Sequence, residues 1–238
     1  MKVADSKSRV RAAWASLAGL DDLARLCVIV GERSWLGRPG WIAVLQINGL
    51  VTAVSPTRRL VEPLRQALDG LPPHEAIDPD RVIARLPSVA ETLGPALLHY
   101  PGDRLADAPA GCPVDVVPPR ALQPLFADVA PSELDESGLS EVTSPISIVR
   151  SDNGTPVAAC GYRQWPAQVA HLSVLTRSDH RGRGFAKAVA IDATERALTE
   201  GLLPQWRAHR DNPASQAVAI GIGFEPFGAQ LSLRPADT

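Results

Sequence analysis

The chain has 238 residues, of which 45% are apolar and 21% are charged, and its formal net charge is −2 at pH 7. This composition is typical of a globular protein of one or two domains, long enough to bury a core without disulfides or metal ions. The nearly balanced charge excludes a global field that would attract nucleic acid or an anionic membrane, so any anion site has to be local.

The N-terminal segment and the cysteines indicate a compartment. Residues 1–7 contain no apolar signal core, and no segment approaches the 18 consecutive apolar residues of a membrane span. Cys27, Cys112 and Cys160 are far apart and odd in number, and they form no C-x-x-C pair. We therefore expect a cytoplasmic protein with reduced thiols, no bound metal, and no nucleic-acid or membrane partner.

Proline-rich segments near the middle of the chain indicate a domain boundary. Residues 108–113 and 117–119 are stiff and disfavour a helix. We place the boundary at about residue 112, which gives domains of residues 1–112 and 113–238. No catalytic motif appears in the first domain, whose role is not assigned. We expect a smaller α/β domain that shapes an acceptor pocket or a dimer contact.

Hydrophobic spacing and turn residues predict the elements of the first domain. In chain order we expect a helix over residues 8–29, a hairpin of residues 41–47 and 50–54 around Asn48-Gly49, a helix capped by Thr57 that runs to about residue 71, a helix from Asp78 or Asp80 to about residue 94, and a strand over residues 96–100.

The second domain has a clearer order of elements. We expect a helix over residues 121–129, a hairpin of residues 145–150 and 156–162, a strand over 169–176, a helix over 184–200, a strand over 204–208, a helix from Pro213 to about residue 221, and a strand over 230–234. The fold class predicted for the chain is therefore α/β with a mixed sheet.

The loop His180-Arg181-Gly182-Arg183-Gly184-Phe185-Ala186 connects a predicted strand to a predicted long helix. Such a turn presents backbone N–H groups and the positive end of a helix dipole, and its glycines allow close approach of an anion. Together with its arginines it suits a pyrophosphate. A dinucleotide fingerprint fails because Lys187 follows where glycine or alanine is needed, and a P-loop fails because no Gly-Lys-Ser/Thr follows.

Two motifs together resemble the GNAT superfamily of acetyl-CoA-dependent acyltransferases. The family's Arg/Gln-x-x-Gly-x-Gly/Ala signature matches Arg181, Gly184 and Ala186 after a strand. A second family pattern matches Asn212, Ser215 and the pair Gly223-Phe224. The resemblance covers roughly residues 113–238, and it implies a sheet whose central strands splay apart to admit the cofactor arm. The first domain is a candidate for a degenerate second copy of the same fold.

The resemblance implies acetyl-CoA as cosubstrate and assigns residues to it. The amides around residues 181–186 would hold the pyrophosphate, and backbone groups of β-strand residues at 174–176 would pair with the pantetheine arm. Asn212 and Ser215 would contact the arm from the other side. The implied cofactor-binding residues are Val174, Leu175, Thr176, Arg181, Gly182, Arg183, Gly184, Phe185, Ala186, Asn212 and Ser215.

The catalytic groups are less clear. Family members often place a base in the strand that here contains His171, and Glu141 or Glu136 in the acidic segment are alternatives. The family's usual tyrosine acid falls at Ala219, so the general acid is unassigned. Hydroxyl or thiol substitutes would be Tyr162, Ser215 and, more remotely, Cys160.

The function that these residues indicate is an N-acetyltransferase that transfers an acetyl group from acetyl-CoA to a primary amine on a small molecule or peptide, directly in a ternary complex. The alternative is a non-catalytic acyl-CoA-binding or regulatory module, which Ala219 keeps open. A nucleotide-binding oxidoreductase is a third reading. The acceptor cannot be read from the fold, and a monomer and a homodimer are both compatible with the sequence.

Overall fold

The computed structural model describes residues 3–31, 35–86 and 88–236, with only the backbone described for residues 3–6. Met1 and Lys2, the first two residues of the N-terminal segment predicted to contain no signal core, lie outside the described residues. The chain forms two compact units, the first from Met1–His99, Arg207–Pro213 and Pro226–Thr238, the second from Tyr100–Trp206 and Ala214–Glu225. The domain boundary near residue 112 stays a prediction.

The described residues form seven α-helices and ten strands. The helices are α1 (Val3–Ala18), α2 (Val61–Leu68), α3 (Pro79–Ile83), α4 (Gln123–Ala127), α5 (Pro131–Ser137), α6 (Phe185–Thr199) and α7 (Pro213–Gly221). The strands are β1 (Leu26–Val30), β2 (Ile42–Ile47), β3 (Leu50–Ser55), β4 (Val89–Pro101), β5 (Asp115–Val117), β6 (Ile146–Arg150), β7 (Pro156–Trp165), β8 (Val169–Thr176), β9 (Leu203–His209) and β10 (Phe224–Pro235).

The sheet of the first unit is mixed. β10 pairs with β2 and β2 with β3 in antiparallel fashion, while β3 pairs with β1 in parallel. The β2–β3 hairpin turns at Asn48 and Gly49, both with positive φ (47° and 80°), as a two-residue hairpin loop requires. This confirms the hairpin prediction. Helix α2 covers the sheet with Leu64 and Leu68, both fully buried in one apolar cluster with strand residues.

The helix predicted over residues 8–29 is wrong beyond residue 18. Gly19 adopts a left-handed conformation (φ 79°), and the N–H groups of Gly19 and Leu20 donate to the carbonyls of Ser16 and Ala15. This pair of hydrogen bonds is a Schellman motif, which ends a helix. The apolar segment that follows contains three consecutive β-branched residues and forms β1, because pairing with β3 outweighs its helical spacing.

Two further helices of the first unit are shorter than predicted. Thr57 makes no side-chain cap, and a 3₁₀ turn over Arg58–Leu60 precedes α2. The Asp78 carboxylate accepts from the N–H groups of Asp80 and Arg81, so the predicted cap at Asp78 is confirmed, but α3 ends at Ile83. The chain then enters β4, which lies beside β10 in the sheet, because strand pairing again overrides the local pattern.

The second unit is an antiparallel meander followed by a parallel pair. Strands β5, β6, β7 and β8 are sequential antiparallel neighbours, and β8 pairs in parallel with β9. The predicted β6–β7 hairpin and the strand over residues 169–176 are confirmed, as is the helix that follows. The helix predicted over residues 121–129 is a 3₁₀ turn, Pro119–Leu122, continued by α4.

Helices cover both faces of this sheet. On one face α6 is held by polar contacts: the Tyr162 hydroxyl donates to Glu200 (2.6 Å), and Ser147 donates to Asp192 (2.6 Å). On the other face, Leu175 of β8 packs in an apolar cluster with Leu125 of α4. The predicted α/β class with a mixed sheet is thus confirmed. Among the described residues, no helix combines the length and apolar character needed to cross a bilayer.

Candidate active site

The parallel pair β8–β9 opens part of the way along its length. Its register covers only Val169 to His171 of β8, against Leu203 to Gln205 of β9. β8 itself continues to Thr176 and stays paired with β7 over that whole length. Within the second unit, the part of β8 after His171 therefore presents one edge without a strand partner. The predicted separation of two central strands is confirmed.

The backbone groups that face this opening follow from the hydrogen-bond alternation of β8. Directly after the strand, the N–H of Arg177 donates to the Val157 carbonyl of β7 (2.9 Å). Because successive residues of a strand direct their backbone groups to opposite sides, Val174 and Thr176 face away from β7, into the opening. Leu175 directs its backbone groups toward β7, and its side chain is buried in the apolar cluster. Their pairing with a pantetheine arm stays a prediction.

The loop after β8 ends in a helix N-terminus suited to an anion. Gly182 and Gly184 have positive φ (76° and 84°), and Gly184 is the N-cap of α6, which is 15 residues long. The first N–H of this helix with a backbone acceptor is that of Ala188, which donates to Gly184. The N–H groups of residues 182–187 have no protein acceptor within the described part of the chain. They form a set of donors at the positive end of a long helix dipole.

The arginine of the loop's signature links this helix N-terminus to the open strand. The Arg181 guanidinium donates through Nε to the Thr176 carbonyl (3.2 Å) and through Nη2 to Glu133 of α5 (2.9 Å). Arg183 donates to the backbone carbonyl of Asp179 (3.4 Å). Each guanidinium keeps N–H donors that the contacts described here do not use.

Arg177 lies in a denser ion-pair cluster. It donates to Asp179 (2.6 Å) and to Asp128 after α4 (2.9 Å). Donation from Arg177, and then from His180, holds the pKa of Asp179 well below its ordinary value, and the same pair raises the pKa of Arg177. Arg177 is therefore committed to the α4–α5 segment and is a weak candidate for binding phosphate.

The sequence does not predict the ion-pair partners of Arg177 and Arg181, nor the proximity of Pro109 to Gly184. Glu133 and Asp128 lie in an acidic segment that gives no sign of its targets. Pro109 lies in a loop between β4 and β5, and its ring atoms would be 3.4 Å from a Cβ on Gly184. A proline in a connecting segment carries no sequence signal for such a contact. A side chain at position 184 would therefore contact Pro109, and the positive φ of Gly184 is what favours glycine there.

His171 lies where β8 and β9 separate. It is the last residue of β8 in register with β9, and it is half-buried. Its ring stacks on Trp165 of β7 with 4.6 Å between ring centroids. The alternation of β8 puts His171 on the face that carries Leu175, toward α4 and α5. An imidazole at this position can serve as a proton acceptor beside the opening.

Glu141 lies on the same face but is engaged. It is the last residue of a 3₁₀ turn, Leu139–Glu141, and it accepts from Arg163 of β7 (2.6 Å). Arg163 is the cross-strand partner of His171, so the Glu141–Arg163 ion pair lies next to the histidine. Glu136 belongs to the neighbouring α5, whose residues are all at least partly exposed. His171 is the better-placed of these groups for a general base.

The substitutes for the missing acid take part in other contacts or are buried. Tyr162 donates to Glu200 on the α6 face, and burial raises its pKa. Burial also raises the pKa of the fully buried Cys160. Ser215 accepts from the indole N–H of Trp206 (3.0 Å). Ala219 is fully buried in α7. The general acid therefore stays unassigned.

The remaining predicted contact, Asn212, belongs to the first unit, while Ser215 belongs to the second. The Asn212 N–H donates to the His209 carbonyl (3.0 Å) in the turn before α7. Contact of Asn212 and Ser215 with a pantetheine arm stays a prediction. Among the described residues, no three side chains of His, Cys, Asp or Glu lie close enough together to bind a metal ion.

Comparison with known proteins identifies a family that matches part of the chain. Residues 146–229 match the family model described as GNAT acetyltransferase. This segment contains β6 to β9, the loop before α6, helices α6 and α7, and the first half of β10. No curated protein matches the chain in sequence.

Two solved structures share the fold over almost the whole chain. An acetyltransferase of the GNAT family from Colwellia psychrerythraea is 13% identical with a TM-score of 0.54, and 99% of this chain and 98% of that chain are covered. A GCN5-related N-acetyltransferase-like protein from Streptococcus suis 89/1591 is 17% identical with a TM-score of 0.50, over 97% of this chain and 99% of that chain. At these identities the likeness concerns the fold, and it includes the first unit. The match to the GNAT acetyltransferase family model covers residues 146–229, and the likeness to these two structures extends the shared fold to almost the whole chain.

Proposed function

We propose that the chain transfers an acetyl group from acetyl-CoA to a primary amine, directly and in a ternary complex. The observation that carries the proposal is the opening between β8 and β9, which leads into the anion-binding N-terminus of α6. Acetyl-CoA has an extended amide-containing arm that suits a free strand edge and a pyrophosphate that suits a helix N-terminus.

The residues of the site fit this molecule in two places. The backbone groups of Val174 and Thr176 are available to the amides of the arm. The N–H groups of residues 182–187, with glycines at 182 and 184, are available to the pyrophosphate. Arg181 donates to the Thr176 carbonyl, so it lies between the two regions. Acetyl-CoA supplies the activated acyl group as a thioester.

His171 would take the proton of the acceptor. An amine attacks only in its neutral form, and its nitrogen loses a proton as the carbon–nitrogen bond forms and the carbon–sulfur bond breaks. The His171 imidazole lies at the end of the opening, on the α4–α5 side, and can accept that proton. Because the structure assigns no acid, the leaving thiolate is expected to take its proton from solvent. Holding both reactants in one site supplies much of the rate enhancement.

We propose the acceptor by class, as a primary amine on a small molecule or peptide. We also propose that the reaction takes place in the cytoplasm. Acidic residues on α5 and in the following turn favour a cationic acceptor. We include neither a metal ion nor a nucleic-acid partner in the proposal.

Calorimetric titration with acetyl-CoA, with NAD as the control, tests the binding half of the proposal. We expect micromolar binding of acetyl-CoA alone. Release of CoA in the presence of a pool of primary amines then tests catalysis. Binding without release of CoA by any amine would favour the non-catalytic acyl-CoA-binding module, which the buried Ala219 also favours. No heat with acetyl-CoA would contradict both functions.

A further inference from the structure

A row of polar side chains crosses the sheet of the second unit where β8 and β9 separate. His171 is in register with Arg163 of β7 on one side and with Gln205 of β9 on the other. Residues in register on neighbouring strands direct their side chains to the same face, and the strands are about 4.8 Å apart. The Gln205 and His171 side chains therefore lie on the same face of the sheet, on neighbouring strands.

Gln205 is an unusual residue for its position. It is fully buried, and its Nε2 donates to the hydroxyl of Tyr100 (2.6 Å), which is 1% exposed. Its Oε1 is buried and has no hydrogen-bond partner among the residues that the structure describes. A buried amide oxygen without a donor costs free energy, and an apolar residue of similar size would avoid that cost. Such a group is typical of a site in which a donor forms during function.

We propose that Gln205 is a positioning residue for His171 in the proposed acetyl transfer: its Oε1 accepts an imidazole N–H, so that the other ring nitrogen faces the acceptor amine. Tyr100 fixes the amide by accepting from Nε2, which leaves Oε1 for the histidine. When the amine nitrogen gives its proton to the imidazole, the ring becomes a cation with two N–H groups, and Oε1 stabilises that cation. The inference rests on the proposed function.

The contacts described above for the neighbouring groups are of other kinds. Arg163 is cationic and disfavours an imidazolium, and Glu141, which pairs with Arg163, offsets that charge. Trp165 offers the face of its ring. The Tyr100 hydroxyl reaches the row through Gln205. The amide oxygen of Gln205 is therefore the neutral acceptor that β9 places on the same face as the ring.

The test compares two substitutions of Gln205 with one matched control. Gln205→Leu removes the acceptor and keeps the volume, whereas Gln205→Glu keeps an oxygen acceptor and adds a negative charge. Gln230→Leu is the control, because Gln230 lies in the first unit, is 3% exposed and also has a buried Oε1 without a partner. CoA release is measured across pH 5.5–9 with the fastest amine from a pool of alkylamines, arylalkylamines and amino-acid amides.

We expect Gln205→Leu to lower kcat/KM about tenfold and to move the acid limb of its pH profile to lower pH, because the imidazole becomes a weaker base. Gln205→Glu should move that limb to higher pH. Acetyl-CoA affinity should stay within about twofold of wild type in both variants, and Gln230→Leu should leave the limb unchanged. The melting temperature of Gln205→Leu should stay close to that of wild type, because removal of the unpaired Oε1 offsets loss of the hydrogen bond to Tyr100.

Three outcomes would overturn the proposal. If Gln205→Leu has wild-type kinetics and an unchanged acid limb in its pH profile, Gln205 does not position His171. A lower melting temperature with the limb unmoved would give Gln205 a structural role instead. If wild type binds acetyl-CoA but releases no CoA with any amine of the pool, acetyl transfer fails as the proposed function, and this role for Gln205 fails with it.

Discussion

The two units repeat one order of strand pairings with different results. In the first unit, β10–β2 and β2–β3 are antiparallel and β3–β1 is parallel; in the second, β6–β7 and β7–β8 are antiparallel and β8–β9 is parallel. In both, a helix follows the strand that has the parallel partner. This common order supports the interpretation of the first unit as a degenerate second copy.

The parallel strand pairs of the two units differ in how far the two strands stay together. β1 and β3 stay in register over five residues, from Leu26↔Val51 to Val30↔Ser55, the last residue of β3. β8 and β9 stay in register over three residues, and β8 then continues to Thr176 paired with β7. The connection from β3 to α2 contains no glycine and begins with Pro56, whereas the connection to α6 has glycines at 182 and 184. A closed strand pair and a loop with side chains at every position leave no room for an arm or a pyrophosphate.

The first unit does keep a cavity near the ends of its parallel strands. It has a volume of about 870 Å³ and is lined by residues that include Leu17, Ile29, Trp35 and Arg58. Open α/β sheets bind ligands outside the carboxyl ends of parallel strands, and this cavity lies there. Its lining includes Ile29 and Val30 of β1 and no residue of β3, so it does not lie between the two strands. The feature that distinguishes the two units is the separation of β8 from β9, and not the presence of a cavity near the parallel strands.

The largest expected effect comes from placing a side chain in the glycine loop. Gly184→Glu should weaken acetyl-CoA binding roughly 1000-fold, or by about 4 kcal/mol, because it puts a negative charge at the pyrophosphate and strains a residue with φ 84°. Calorimetry measures the loss. The matched control is Arg59→Glu in the corresponding loop of the first unit, which should leave acetyl-CoA affinity unchanged. Equal losses in both variants would contradict the comparison.

Proline substitutions distinguish the closed pair from the open one. The N–H of Val51 donates to Arg25 (3.1 Å), so by alternation the N–H of Ala53 also faces β1. Ala53→Pro should therefore cost about 3 kcal/mol of unfolding free energy or more. The N–H of Val174 faces the opening, so Val174→Pro should cost less than about 1 kcal/mol but weaken acetyl-CoA binding about tenfold. Urea unfolding and calorimetry measure the two quantities.

A Val174→Pro variant that unfolds as readily as Ala53→Pro would show that β8 has a partner after His171. A variant with normal stability and normal acetyl-CoA affinity would show that the edge is open but unused. Either result would remove the strand separation from the explanation of function.

Replacement of the proposed base separates catalysis from binding. His171→Ala should lower kcat at least about 100-fold and change acetyl-CoA affinity less than about threefold, because general-base catalysis contributes roughly 100-fold or more. Stopped-time assays of CoA release with the best amine give kcat. His74→Ala is the control, because His74 is an exposed histidine of the first unit. An unchanged kcat in His171→Ala would return His171 to a packing role against Trp165.

Local signals in the sequence were sufficient to predict much of the second unit. The β6–β7 hairpin, β8 and α6 follow from turn residues, β-branched runs and helical spacing, which act over a few residues. The helix capped by Gly184 is recognised because glycines and a helical pattern are adjacent in sequence. In the first unit the same rules failed for β1 and β4, where pairing with β3 and β10 outweighs helical spacing.

The parts of the site that the sequence does not predict depend on contacts between distant segments. The motif residues indicate a cofactor loop, but nothing in the sequence around Gln205 indicates that it is in register with His171. The Arg181–Glu133 pair joins residues 48 positions apart. The β8–β9 register ends after three residues because of tertiary packing. The separation of these strands is therefore predicted only by the resemblance to the GNAT superfamily.

The smallest expected effect concerns stability and pH. His99, which belongs to the first unit, is 2% exposed, and burial lowers its pKa below the ordinary value of 6.5. Below about pH 6.5 the unfolded chain binds a proton at this histidine that the folded chain does not bind. The unfolding free energy should therefore fall as pH decreases from 7 to 5, by at most about 1.4 kcal/mol per pH unit.

Urea unfolding at several pH values in this range, on wild type and His99→Gln, measures this contribution, and we expect a flatter dependence in the variant. The second unit supplies the contrast through Asp179, whose pKa is lowered by Arg177. Its stabilising charge is fully present above the ordinary carboxylate pKa of about 4 and is lost only at lower pH. Asp179→Asn should consequently leave the slope between pH 7 and 5 unchanged. If Asp179→Asn flattens the slope and His99→Gln does not, the pH sensitivity belongs to the cofactor loop of the second unit, and the assignment to the buried histidine of the first unit is wrong.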